Sequence, residues 1–92
     1  MKGANYIKEC GKTIAVAPSN AKTFTLEELQ KFVGGYIQMI HLKNGDIMVI
    51  NEEGKLNAFR VNDKATEFFQ KDFGEIDVIV GNVLITSSKF VN

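Results

Sequence analysis

The sequence around Thr25 contains a complete set of helix-start and helix-stop signals. Thr25 and Glu28 have the S/T-x-x-E spacing of a capping box, in which each side chain accepts a hydrogen bond from the backbone N–H of the other residue. The pair Gly34-Gly35 then supplies a residue that can adopt the left-handed conformation at which helices commonly end. These signals predict a helix over about residues 25–34, and this helix constrains how the rest of the chain can fold.

Two runs of β-forming residues follow the helix, at 36–42 and 46–51, and Asn44-Gly45 lies between them. This pair favours a hairpin with a two-residue type I′ turn. Alternation places Tyr36, Gln38, Ile40 and Leu42 on one face, and Ile37, Met39 and His41 on the other. Because both faces are partly apolar, we expect both to be covered. One cover is the helix, and the other is either a second layer of strands or a second subunit.

Weaker patterns predict the remaining elements. We expect strands at residues 13–17, 55–61 and 76–85, the last with a bend at Gly81-Asn82. We also expect a short helix over about residues 62–69, with Ala65, Phe68 and Phe69 pointing inward, and a loop at residues 72–74. The fold class that follows is α+β, a small and mainly antiparallel sheet with one well-capped helix and a second short helix. Residues 1–92 are expected to form a single domain.

Charge and cysteine content narrow the classes of function. Eleven basic residues balance eleven acidic ones, whereas proteins that bind phosphate backbones usually have a basic excess. Nucleic-acid and membrane partners are therefore not expected. The chain has neither a signal-peptide pattern at its start nor the ~18 consecutive apolar residues of a membrane span. The single cysteine, Cys10, fits a reducing compartment, so we expect a cytoplasmic protein.

Groups that perform catalysis are scarce. His41 is the only histidine, and a single histidine with a single cysteine cannot form a typical zinc site. Glu52 and Glu53 are adjacent in a predicted turn, where their side chains diverge instead of acting as an acid–base pair. We therefore expect no enzyme activity, no cofactor and no metal.

Six polar or amphipathic side chains are candidates for a shallow binding pocket beside the sheet. They are Tyr36, Gln38, His41, Asn51, Arg60 and Asn62. Four phenylalanines, Phe59, Phe68, Phe69 and Phe73, leave two alternatives open. They either complete the core or form an exposed patch that binds a partner.

Three stretches, in the same order along the chain, resemble one uncharacterised family. They are residues 25–37 (TLEELQKFVGGYI), 51–57 (NEEGKLN) and 77–85 (DVIVGNVLI). The sequence is similar to the domain of unknown function 3846, a family carried by phages and mobile elements. Ala58-Phe59-Arg60 stands where members of that family often have a Leu-Pro pair. The resemblance implies a small accessory gene of a phage, prophage or plasmid, and it implies no catalytic or binding residues.

Two functions follow as hypotheses. The first is a non-catalytic protein that binds a host or phage protein, for instance a defence enzyme that it inhibits or modulates. The second is a sponge that sequesters a small nucleotide-like ligand in a pocket between subunits, with Tyr36, Arg60 and the asparagines supplying the stacking aromatic and the convergent donors. A homodimer is expected in either case, and the partner would be met in the cytoplasm of the host bacterium.

Overall fold

The computed structural model describes residues 4–91 of the chain. Residues 1–3 and 92 lie outside this range. The prediction that the chain starts without a signal peptide concerns residues that lie partly outside it. The order of elements is β1 (Ala4–Ile7), β2 (Thr13–Val16), α1 (Leu26–Val33), β3 (Ile37–His41), β4 (Asp46–Asn51), α2 (Asp63–Phe73) and β5 (Val83–Ser87), followed by a 3₁₀ turn (Ser88–Phe90). The predicted α+β class is confirmed.

The five strands form one sheet in the order β2-β1-β5-β4-β3, and every neighbouring pair is antiparallel. Two hairpins, β1–β2 and β3–β4, form the two halves of the sheet. The last strand, β5, lies between them and pairs with β1 on one side and with β4 on the other. The strand β1 has no counterpart in the sequence prediction, because four residues without clear alternation resemble a loop.

Helix α1 covers one face of the sheet, as predicted. Its capping box is complete, since the Thr25 side chain accepts from the Glu28 backbone N–H and the Glu28 carboxylate accepts from the Thr25 N–H. Gly34 ends the helix in the left-handed conformation, with φ 81°. Leu29 and Val33 pack against the buried sheet side chains of this face, which are Ala4, Ile47, Val49 and Leu84.

Helix α2 covers the opposite face. Ala65 and Phe69 pack with a second buried cluster that contains Ile7, Met48, Val83 and Ile85. The second cover therefore comes from the same chain and is a helix, not the layer of strands or the second subunit expected from the sequence. The predicted helix at 62–69 is confirmed and runs one turn further, so residues 72 and 73 are helical instead of forming a loop. Phe68 is exposed, contrary to the prediction.

The β3–β4 hairpin is confirmed, but its turn is not the predicted type I′. Leu42 N–H donates to Asp46 O and Gly45 N–H donates to Leu42 O, so the loop has three residues. Gly45 has φ +93°, whereas Asn44 is not among the described residues with positive φ. The Asn44 side-chain oxygen Oδ1 accepts from the Asp46 N–H at 2.9 Å, and this contact favours a type I turn followed by a left-handed glycine.

Of two predicted strands, the one at residues 55–61 is absent from the described part of the chain, and the one at residues 76–85 is confirmed only from Val83 onward, as β5. Residues 52–58 form successive turns, and only Val61 keeps a strand-like contact, an isolated bridge to Val80. Residues 76–82 run back along α2 and, apart from the Val80 bridge, have no strand structure, because the sheet positions beside β4 are already taken by β3 and β5. The bend at Gly81-Asn82 is confirmed, with Gly81 at φ +79°.

Candidate functional site

Three asparagine side chains form hydrogen bonds with the loops at the end of the sheet where β4 ends and β5 begins. The Asn51 amide donates to Val33 O at the end of α1 and accepts from the Glu53 N–H. The Asn62 amide donates to Ile7 O and Gly81 O and accepts from the Ala65 N–H, so it also caps α2. Asn82 accepts from the Glu9 N–H. These bonds hold residues 52–62 and 77–82 in fixed positions beside the face that α2 covers.

A cleft opens between those two loops and the β3–β4 hairpin. Its volume is about 330 Å³. Ile40, Ile50, Phe69 and Ile79 supply apolar groups to its lining. The helix α2 leaves this part of the sheet face uncovered, because β3 lies at the far edge of the sheet from β1. We refer to this space as the hairpin cleft.

One ion pair joins the two loops across the mouth of the hairpin cleft. The Lys55 ammonium contacts the Asp77 carboxylate, which also accepts a hydrogen bond from the Val78 N–H. The Lys55 hydrogen bond, followed by that of Val78, holds the pKa of Asp77 below its ordinary value. Both side chains are about half exposed, so water and salt screen the pair and it adds little to stability. The pair connects the loop that contains Leu56 to the loop that contains Val78.

Large apolar side chains surround the cleft without a cover among residues 4–91. Leu56 is 85% exposed, Ile76 is 76% exposed and Val78 is 38% exposed. Leu56 and Val78 both line the cleft, and Ile76 precedes the ion-paired Asp77. Exposed apolar groups grouped around a concave apolar floor are typical of a surface that binds a partner.

The six predicted pocket residues are not brought together. Gln38 and Asn51 line the hairpin cleft, while Tyr36 and Asn51 line a second depression of about 260 Å³ at the end of α1. His41 and Arg60 are exposed and line neither space. Asn62 is 1% exposed and all its amide hydrogen bonds are made within the fold.

Sequence reasoning missed Lys55, Leu56, Asp77 and Val78 as parts of one site. Only Leu56 could have indicated the site from the sequence. It is a single leucine in an otherwise polar segment, where a side chain is not expected to join the core. The ion pair gave no signal, since 22 positions separate its two residues. The four phenylalanines divide: Phe59 packs against Gly54 and Gly81, Phe69 lines the cleft, and Phe68 and Phe73 are exposed.

Neither a cluster of metal-ligating side chains nor a membrane-spanning helix is found among residues 4–91. Among residues 4–91, no group of three or more histidine, cysteine, aspartate or glutamate side chains is placed to hold a metal ion. No helix in that range has the length and apolar character needed to cross a bilayer.

The fold and the cleft together define a small α+β domain with a five-stranded antiparallel sheet, one helix on each face and an apolar cleft at one edge. The model of the family described as "Domain of unknown function (DUF3846)" matches residues 5–90, which is nearly all of the chain. The chain therefore belongs to the DUF3846 family. Comparison with curated proteins and with solved structures returned no match.

Proposed function

We propose that this chain is a non-catalytic binding protein that holds another protein in the hairpin cleft. The observation that carries the proposal is the exposure of Leu56 and Val78 at the mouth of a cleft with an apolar floor. Burial of apolar surface stabilises a complex by roughly 25 cal/mol per Å², so a partner that covers these side chains gains affinity from them. Backbone hydrogen bonds within the turns at residues 52–58 hold the loop in place before binding, which reduces the entropy lost in the complex.

The setting that we propose is a phage or another mobile element, whose product acts in the cytoplasm of the host bacterium. The partner is then a host or defence protein, which this chain inhibits or modulates by occupying part of its surface. The setting is what the resemblance to the family implies, and the choice of a protein partner is supported by the neutral net charge, which does not favour nucleic acid, and by the kind of surface that the cleft provides.

A nucleotide-like ligand is the weaker alternative. Tyr36 is 67% exposed and lines the depression at the end of α1, where a base could stack on it. However, the same depression contains Glu53 and lies at the carbonyl end of α1, and both repel a phosphate group. Arg60, the cation that this hypothesis needs, lies outside the depression.

The test is capture of a partner from host lysate by immobilised protein, followed by comparison of three variants. Leu56→Asp and Val78→Asp place a charge at the mouth of the cleft, and we expect each to lower the captured amount at least tenfold. Ile14→Asp is the matched control, because Ile14 is a similarly exposed apolar residue on β2, 42% exposed and outside the cleft lining. We expect this variant to capture the partner normally.

Two results would count against the proposal. One is equal loss of the partner in all three variants, which would indicate a general effect of an added charge. The other is a rise in melting temperature with a nucleotide panel that Tyr36→Ala abolishes and Leu56→Asp does not. A ligand that binds the native state stabilises it by mass action, so this second result would favour the nucleotide hypothesis.

A further inference from the structure

The outer edge of β3 has free hydrogen-bonding groups. The strand β3 lies at the end of the sheet, and no strand of residues 4–91 pairs with its far side. Tyr36 O accepts from the Glu52 N–H and the Leu42 N–H donates to Asp46 O, so even-numbered residues direct their backbone groups toward β4. Antiparallel pairing alternates, and the N–H and C=O groups of Ile37, Met39 and His41 therefore point outward.

This edge lacks the features by which monomeric proteins protect exposed strands. Such strands are usually short, bulged, or interrupted by lysine or proline. The strand β3 has five residues, Ile-Gln-Met-Ile-His, with no lysine, proline or glycine, and its register with β4 is regular throughout. The other edge strand, β2, is shorter, with four residues, and lies between Lys12 and Pro18.

We propose that a second copy of this chain pairs with β3, so that two β3 strands join antiparallel about a twofold axis at Met39. Met39 then faces Met39 of the second copy, and Ile37 faces His41 of the second copy. All three residues present outward N–H and C=O groups, so each such pair exchanges two hydrogen bonds in this register. The result is one continuous sheet of ten strands, twice the five of a single copy.

Charge is compatible with this self-pairing. The strand contains no acidic or basic residue apart from His41, which lies at its end and faces an isoleucine of the second copy. The chain as a whole has a formal charge of zero, so two copies do not repel each other over long range. Opposed like charges, which destabilise antiparallel strand pairs, are absent from the proposed register.

The dimer would also join the two hairpin clefts. A twofold axis perpendicular to the sheet keeps the same face of both copies on the same side. Gln38 and Ile40 line the cleft. In the proposed register, Gln38 of one copy lies opposite Ile40 of the second copy. The two clefts therefore meet across the junction as one trough. The dimer does not depend on the proposed function, since it rests on the backbone of β3 and not on Leu56 or Val78.

Disulfide trapping tests the register. In a Cys10→Ser background, which removes the exposed native thiol, Met39→Cys places two thiols opposite each other at the twofold axis. Directly opposed residues of this kind have Cα atoms about 5.5 Å apart, within the range that a disulfide spans. We expect mild oxidation to convert most of the Met39→Cys protein into a covalent dimer. Ala15→Cys, exposed on β2, is the control and should remain monomeric on a denaturing gel.

Light scattering coupled to size exclusion tests the dimer without a cross-link. We expect the wild type to have twice the monomer mass of 10.2 kDa, and Met39→Lys to dissociate at least tenfold more readily because it opposes two ammonium groups. Circular dichroism and melting temperature show whether the variant is folded. Ala15→Lys should leave the mass unchanged. The proposal is overturned if the wild type is monomeric at about 100 µM, if Ala15→Cys cross-links instead of Met39→Cys, or if the edge binds a strand only from a different protein.

Discussion

Asn62 can be buried because its amide finds partners in three separate parts of the chain. It donates to Ile7 O at 3.0 Å and to Gly81 O at 2.8 Å, and it accepts from the Ala65 N–H at 3.0 Å. One side chain thus connects β1, the bend before β5 and the start of α2. The sequence suggested the side chains of Asn51 and Asn62 for ligand binding, but both form hydrogen bonds within the fold instead.

We expect Asn62→Ala to lower the free energy of unfolding by about 3 kcal/mol. Each buried backbone group left without a partner costs about 1–3 kcal/mol, and loss of the cap costs about 1 kcal/mol. Urea denaturation at neutral pH measures the change. Asn57→Ala, in the exposed turn at 52–58, is the control and should shift stability by less than about 0.5 kcal/mol. Equal effects of the two variants would contradict the assigned role of Asn62.

A second prediction at the residue scale separates two glycines with positive φ. A Cβ at Gly81 would lie 2.7 Å from Phe59 Cδ2, whereas a Cβ at Gly45 would have nothing within 4 Å. Gly45→Ala should therefore lower the free energy of unfolding by only about 1 kcal/mol, because alanine is strained in the left-handed conformation. Gly81→Ala adds a clash and should cost about 2–4 kcal/mol. Thermal and urea unfolding of both variants measure the difference, and a smaller loss for Gly81→Ala would show that Phe59 moves aside freely.

At the scale of the element, prediction succeeded where the signal was local. Helix α1 was predicted from Thr25, Glu28 and the following glycines, all within one short segment, and tertiary packing agrees with them. The segments at 55–61 and 76–80 have apolar residues typical of strands, but a strand needs a neighbour. The strand order of the sheet leaves no position beside β4 for these segments, and this order cannot be predicted from the segments themselves.

The capping box of α1 allows a prediction with a pH dependence. Hydrogen bonds from the Thr25 N–H, then from Ser19, hold the pKa of Glu28 below its ordinary value of 4.5. A folded-state pKa below the unfolded value stabilises the protein above the unfolded pKa, and that contribution is lost as pH falls through the folded pKa. Wild type should therefore exceed Glu28→Gln in stability at neutral pH.

The difference between wild type and Glu28→Gln should shrink as the pH falls below 4.5. Denaturant titrations at several pH values measure it. Thr25→Ala provides a companion measurement and should cost about 1 kcal/mol at neutral pH. A stability difference between wild type and Glu28→Gln that is constant across the acid range would argue that the carboxylate charge has no part in the cap.

For the whole molecule, the sequence predicted correctly that both faces of the sheet are covered, but not what covers the second one. Apolar residues on both sides of β3 and β4 required two covers, and this could be inferred from alternation alone. The position of α2 depends on Asn62 and on the Thr66 hydroxyl, which exchanges hydrogen bonds with Ile79. The cleft likewise depends on contacts between distant residues such as Lys55 and Asp77.

The order of the strands predicts a gradient of amide hydrogen exchange. In β5, Val83, Leu84 and Ile85 are buried and lie between two neighbouring strands. We expect their amides to exchange only through global unfolding. The outward amides of Ile37, Met39 and His41 should exchange much faster in dilute solution and slow down with concentration if β3 pairs with a second copy. Equally fast exchange in β5 and at the outer edge of β3 would contradict this order.

The central place of β5 also has a consequence for synthesis on the ribosome. Both hairpins emerge before β5, yet neither can reach its neighbour until Val83–Ser87 has left the exit tunnel. Until then the inner edges of β1 and β4 are both unpaired, and they are the hydrogen-bonding edges that a chaperone or a neighbouring nascent chain would meet. Formation of the complete sheet is thus tied to β5, the last strand of residues 4–91 to be translated.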